Sequence, residues 1–145
     1  MLATHVTTDV YARVQHFYAR QMQALDERRF EEYAATFTED GVFQHSPDVE
    51  PARGRAAILE SLVEFDRRFS DDPVRRRHWY NQILLKARQD GSLNATVYTL
   101  VVHVRPGVRQ PEIAPSCVVH DVLELAGDDD VLTRSRLVAY DHLAV

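Results

Sequence analysis

The stretch HWYNQILLKARQDGSLNATVYTLVVHVR, residues 78–105, carries the strongest structural signal of the chain. It is rich in Val, Leu, Tyr, Thr and Ile, which favour strands, and Asp90-Gly91 interrupts it near its middle. An Asp-Gly pair is favoured in a two-residue hairpin turn. The stretch therefore predicts two antiparallel strands, at about His78–Gln89 and Ser92–Arg105, that form a hairpin.

A two-residue turn at Asp90-Gly91 would also set the register of this hairpin, by pairing residues whose numbers add to 181. His78 and His103 meet this condition, so we expect their imidazoles to lie opposite each other, with Cβ atoms about 4.5–5.5 Å apart. Because neighbouring imidazoles disfavour simultaneous protonation, one of them should remain a neutral base. The alternative is that both histidines are simply exposed or hydrogen-bonded. The same register pairs Tyr80 with Val101, Gln82 with Thr99, and Leu84 with Val97, as in a half-polar pocket lining.

Outside the hairpin, the apolar pattern predicts an α+β fold. Two more apolar stretches follow it, at about Ile113–Ala126 and Val131–Leu143, and extend the hairpin into a four-stranded antiparallel meander. Before it, apolar residues recur every three or four positions in three segments, which indicates three helices packed on the sheet. These helices cover about residues 11–25, 30–37 and 58–69, and a short strand, Val42–His45, precedes the third.

Length and composition narrow the class of protein. The chain has 145 residues, so we expect one domain over residues 1–145. Its 17 basic and 22 acidic residues give a net charge of −5, which argues against nucleic acid as a partner. The single cysteine, Cys117, provides neither an internal disulfide nor a thiolate zinc site. No apolar run approaches the roughly 20 residues that span a bilayer, so we expect a cytoplasmic protein with no membrane partner.

Two segments resemble a known family: ALDERRFEEYAATFTEDGVFQH, residues 24–45, and RRRHWYNQILL, residues 75–85. With three helices followed by a meander, they resemble the nuclear transport factor two-like cone fold, over nearly the whole chain. The subgroup most similar is that of the SnoaL-like polyketide cyclases and scytalone dehydratase-like proteins. The resemblance implies a strongly curved, mainly antiparallel sheet around the helices. It also implies a pocket for an aromatic or polycyclic polyketide-like molecule, no cofactor, and a homodimer through the outer sheet face, where alternation places Trp79.

The resemblance also implies catalytic residues. Asp26, at the end of the first helix, matches the aspartate of the scytalone dehydratase pattern, and His78 and His103 match its two histidines. One histidine would then be the general base and acid, and Asp26 would orient the other. Leu25 and His45 stand where that pattern has tyrosines that hold a water against the substrate carbonyl. We expect the hydroxyl of another tyrosine to polarise the carbonyl from a different direction. The candidates are Tyr18, Tyr33, Tyr80 and Tyr98.

Asp121 is a further candidate for contact with substrate. Strand alternation places it with Cys117 and Val119 on the more apolar face of its strand. An inward carboxylate can act as acid or base, which resembles the single catalytic aspartate of the SnoaL-type aldol cyclases. The alternative is an ion pair with Arg134 or Arg136 on the next strand.

Together, these observations predict a lyase or isomerase of polyketide and antibiotic biosynthesis. It would dehydrate or cyclise an aromatic β-hydroxy ketone by proton transfer, without a cofactor, and Tyr18, Tyr33, His45, Tyr80 and Asp121 are the expected substrate contacts. A facial metal triad of His78, His103 and Asp26 is the alternative chemistry, and we expect no metal. Two non-catalytic roles stay open: a scaffold like the small subunit of ring-hydroxylating dioxygenases, and a chaperone that steers spontaneous ring closure.

Overall fold

The structure, a computed structural model, describes residues 6–143. Its three helices are α1 (Thr8–Asp26), α2 (Phe30–Ala34) and α3 (Arg55–Arg68). Its strands are β1 (Phe37–Gln44), β2 (Ala52–Arg53), β3 (Arg75–Ala87), β4 (Leu93–Val104), β5 (Glu112–Ile113), β6 (Cys117–Ala126) and β7 (Asp130–Tyr140). A short 3-10 helix, Asp141–Leu143, follows β7.

The seven strands form one curled, mostly antiparallel sheet that does not close. The order is β2-β1-β7-β6-β4-β3, and β5 pairs with the end of β4. The predicted meander is present as β3, β4, β6 and β7, which pair antiparallel in that order. Strand β1 adds to β7 in parallel. The predicted α+β class, with three helices on a curved sheet, is confirmed.

Strand β1 is longer than predicted. The strand was predicted to begin at Val42, but it begins at Phe37 and runs through Glu39-Asp40-Gly41. A Cβ at Gly41 would lie 3.0 Å from Phe37 Cβ and 3.0 Å from the Thr38 carbonyl oxygen, so the chain passes closely over itself here. The pairing of β1 with β7 is irregular at the same place, which lets the strand bend around the core.

The β3–β4 hairpin differs from its predicted register. The Arg88 N–H donates to the Ser92 carbonyl at 2.8 Å, and three residues rather than two lie between them. A bulge at Gln82, whose φ is +52°, then shifts the pairing by one more residue. The predicted opposition of His78 and His103 is therefore wrong: His78 pairs with Val101, and His103 pairs with Arg76. The two histidines still share one face, as diagonal neighbours.

The bulge also exchanges the two faces of β3. On the His78 side of it, even-numbered residues point inward, and Tyr80 pairs with Thr99 instead of Val101. Beyond it, Ile83 and Leu85 take the inward positions, and Leu84 is 57% exposed on the outer face. The predicted pairing of Leu84 with Val97, and of Gln82 with Thr99, is therefore wrong as well.

The apolar core lies between the helices and the concave face of the sheet. One cluster packs Val14, Phe17 and Tyr18 of α1 against the inward residues of β3, β4, β6 and β7. A second cluster joins the end of α1 to α2, α3 and Phe37. Helix α1 begins at a Thr7 cap, whose hydroxyl accepts from the Val10 N–H at 3.1 Å.

Candidate active site

The end of α1 places a carboxylate against the first long strand. Arg28 adopts a φ of +64°, and the Arg29 N–H donates to the Ala24 carbonyl at 2.8 Å, so the helix stops just after Asp26. Asp26 Oδ1 lies 2.6 Å from His78 Nδ1, and Asp26 Oδ2 accepts from the His78 backbone N–H at 3.0 Å. Because a carboxylate only accepts hydrogen bonds, it holds the proton on Nδ1. Nε2 of the neutral ring is then the nitrogen with a free lone pair.

Two further histidines lie near this pair. Burial, followed by the charges of Arg76 and Arg105, lowers the pKa of His103. The ring of His45, just after β1, packs beside Phe43 and 3.3 Å from the Tyr140 hydroxyl. Partial desolvation, followed by the charge of His78, lowers the pKa of His45. Both rings therefore favour the neutral form, which suits proton acceptors.

A polar row crosses the concave face below the histidines. Strand register pairs Tyr80 with Thr99, Thr99 with Cys117, and Cys117 with Tyr140. We call these four residues the polar row. The next inward row along these strands is apolar and consists of Val97, Val119 and Val138. Thr99, Cys117 and Tyr140 are not among the predicted site residues, although alternation along β4, β6 and β7 places all three on the inner face.

Under the polar row lies a buried ion pair. Arg136 donates twice to Asp121, at 2.9 and 2.7 Å, and both residues are at most 3% exposed. Tyr18 donates to Asp121 at 2.7 Å, and Arg136 donates to Tyr33 at 2.9 Å. The inward position predicted for Asp121 is thus observed together with the ion pair to Arg136. Burial raises the pKa of both tyrosines, so they stay protonated.

The predicted substrate contacts therefore separate into two groups. Tyr18, Tyr33 and Asp121 have hydrogen-bond partners inside the protein, and their contact with a substrate stays a prediction. The second group is His45, beside Tyr140, and Tyr80, which belongs to the polar row. The Tyr80 ring lies 5.5 Å from the Arg136 guanidinium. Burial raises the pKa of Tyr80, which keeps its hydroxyl a donor. Tyr98, proposed as another hydroxyl source, is 59% exposed on the outer face.

An open groove of about 590 Å³ borders Asp26 on the rim of the cone. The end of α1, the start of β3 and the segment after β4 form its walls, and neither His78 nor His103 lines it. Between Val6 and Leu143, no three histidine, cysteine, aspartate or glutamate side chains are grouped so that they could hold a metal ion. In the same range, no helix has the length and apolar character needed to cross a bilayer.

The geometry can be compared with known proteins. The SnoaL-like domain family matches residues 6–136. The chain belongs to this family. No curated protein matches the chain.

Solved structures similar to this SnoaL-like protein cover nearly the whole chain. ActVI-ORFA from Streptomyces coelicolor is 49% identical, with 92% of this chain and 99% of that chain covered and a TM-score of 0.85. A protein from Catenulispora acidiphila, solved in complex with S-DNPA, is 46% identical, with 94% and 96% covered and a TM-score of 0.84. Aln2 from a Streptomyces species is 26% identical, with 97% and 96% covered and a TM-score of 0.85.

Proposed function

We propose that this SnoaL-like protein dehydrates or cyclises an aromatic, polyketide-like β-hydroxy ketone without a cofactor. The observation that carries the proposal is the contact between Asp26 and His78, at 2.6 Å, on the concave face of a curled sheet. A carboxylate behind an imidazole fixes its tautomer and stabilises the cation that forms when the ring takes a proton. Such a pair is suited to general base catalysis, so we assign the base to the histidine that Asp26 contacts, whereas the resemblance implied that Asp26 orients the other histidine.

The reaction begins with proton transfer to His78. Nε2 removes a proton from the carbon next to the substrate carbonyl, and the electrons of the broken C–H bond form an enolate. The enolate then re-forms the carbonyl and expels the β-hydroxyl, which leaves as water after it receives a proton. In a cyclisation, the enolate carbon instead forms a bond to the carbon of a second carbonyl, the π electrons of that C=O bond move to its oxygen, and this oxygen then takes up a proton. Positioned acid–base groups of this kind contribute about 10²–10⁴-fold to a rate.

His103 is the second proton-transfer group, because it shares the inner face with His78 and its pKa is lowered. It returns the proton to the departing hydroxyl after taking it up from His78 or from solvent. His45 and Tyr80 provide donors for the developing charge on the carbonyl oxygen. Asp26 touches His78 rather than substrate, so we regard it as a positioning residue.

Aromatic and apolar side chains on the inner side of the sheet support the proposed substrate class. The aromatic rings of Tyr80, Phe43 and Tyr140 and the apolar side chain of Val101 suit a planar polycyclic molecule. The similarity to the Catenulispora acidiphila protein, which was solved with S-DNPA, supports the same class of ligand here. We also propose a homodimer through the outer sheet face, where Trp79 is 57% exposed and pairs with Leu100.

The proposal is tested with purified protein and a panel of aromatic β-hydroxy ketones. Water loss and deuterium uptake are followed by mass spectrometry for the wild type, His78→Ala and His103→Ala. His120→Ala is the matched control, because His120 is exposed on the outer face of β6. We expect the first two variants to lose most of the rate while they stay folded, and the control to keep it. Full activity in His78→Ala would refute the mechanism, and altered product stereochemistry at an unchanged rate would favour the chaperone role.

A further inference from the structure

Thr99 has a buried hydroxyl without a partner. The residue is 4% exposed, and its Oγ1 makes no hydrogen bond within the part of the chain that the structure describes. A hydroxyl has one proton to donate and two lone pairs to accept with, and most buried polar groups are paired. An unpaired one therefore calls for an explanation, such as a partner that arrives with the ligand.

The side chains next to Thr99 on the inner face include few hydrogen-bonding groups, and none of them, Tyr80 included, bonds to its hydroxyl. In the polar row it lies between Tyr80 on β3 and Cys117 on β6. A thiol is only a weak donor and acceptor, and burial raises the pKa of Cys117, which keeps it uncharged. The next inward residues of β4, Val97 and Val101, are aliphatic. Along β4, Thr99 is thus a polar residue between two aliphatic ones.

The position of Thr99 relative to His78 suggests what the hydroxyl is for. His78 pairs with Val101, so Thr99 is its diagonal neighbour on the same face. The Cα atoms of diagonal cross-strand neighbours are about 7–8 Å apart. A ketone can bridge a distance of this order. Its carbonyl oxygen would accept from Thr99, and the carbon next to the carbonyl would face His78.

We propose that Thr99 Oγ1–H donates to the substrate carbonyl whose neighbouring carbon His78 deprotonates. The inference rests on the function proposed above and adds the residue that recognises the ketone. Thr99 then stabilises the enolate oxygen as the C–H bond breaks, and the same hydroxyl makes the protein bind ketones more tightly than hydrocarbons of the same shape. Removal of an enzyme donor to a developing oxyanion costs about 10²–10³-fold in kcat.

Two variants separate the hydroxyl from the shape of the side chain. Thr99→Val keeps the branched shape and removes the hydroxyl, whereas Thr99→Ser keeps the hydroxyl. Binding of 1-tetralone and of tetralin, its carbonyl-free counterpart, is measured by calorimetric titration. We expect the wild type and Thr99→Ser to prefer 1-tetralone by about 2–12-fold, as one neutral hydrogen bond allows, and Thr99→Val to bind both alike. Because this assay needs no turnover, its result is independent of whether His78 is the base.

Thermal melting of the free protein provides the second readout. Since the hydroxyl has no partner before the ligand binds, Thr99→Val should melt at the same temperature as the wild type or higher. A Thr99→Val protein that keeps the ketone preference, or a wild type without one, would overturn the proposal. So would a melting temperature several degrees lower in Thr99→Val, because the hydroxyl would then already be bonded in the free protein.

Discussion

Replacement of Asp26 by Asn tests whether the carboxylate stabilises the His78 cation during the reaction. Asn keeps an oxygen that can accept from the His78 backbone N–H but removes the negative charge beside Nδ1. A hydrogen bond to a charged group contributes about 1.5–3 kcal/mol. If that contribution arises as His78 becomes a cation, its loss lowers kcat by about 10- to 150-fold, because 1.4 kcal/mol corresponds to a factor of ten. KM should change little, since Asp26 is expected to act through His78.

The assay is the rate of deuterium uptake and water loss at saturating β-hydroxy ketone. Glu64→Gln is the matched control, because Glu64 forms an exposed ion pair with Arg67 on α3, away from His78. We expect this control to retain the wild-type rate. Circular dichroism and thermal melting check that Asp26→Asn stays folded. A folded Asp26→Asn protein with kcat within twofold of the wild type would refute the reasoning that the carboxylate stabilises the His78 cation.

Three further predictions concern stability, pH and assembly. Arg136→Met leaves Asp121 buried without its ion partner, so urea denaturation should show that the free energy of unfolding falls by about 3–5 kcal/mol. The control Arg134→Met removes a half-exposed ion pair and should lower it much less, and equal losses in the two variants would contradict this prediction. Because the pKa values of His45 and His103 lie below the ordinary 6.5, the folded state binds fewer protons than the unfolded chain below about pH 6.5, and stability should fall as pH falls there. Between pH 7.5 and 5.5, the urea midpoint should decline less steeply in His103→Gln than in the wild type. An unchanged decline would contradict a contribution of His103 to this pH dependence. Sedimentation velocity should show a wild-type dimer and a Trp79→Glu monomer, and a monomeric wild type would exclude the outer-face interface.

The β3–β4 hairpin shows which structural features the sequence pattern predicts correctly and which it does not. Strand composition and the Asp90-Gly91 pair predicted both strands and the face shared by His78 and His103. The pairing itself was wrong, because it depends on the length of the turn and on a bulge. An Asp-Gly pair fits turns of two or three residues, and nothing in the sequence near Gln82 marks a left-handed residue. Both shifts are features of the folded hairpin that the local sequence does not specify.

The candidate site also combines features that the sequence predicts with features that only the fold provides. The sequence by itself determined the helix–strand pattern and the inward position of Asp121, because these follow from local periodicity. Through family resemblance it also predicted Asp26, His78 and His103 as catalytic residues, and this stays a prediction. Only the tertiary structure decided that Asp26 contacts His78, 52 positions away, that Arg136 rather than Arg134 pairs with Asp121, and that Thr99 is left without a partner. Such contacts depend on where a helix stops and how strands register. These are results of packing over the whole chain, which no local stretch of sequence contains.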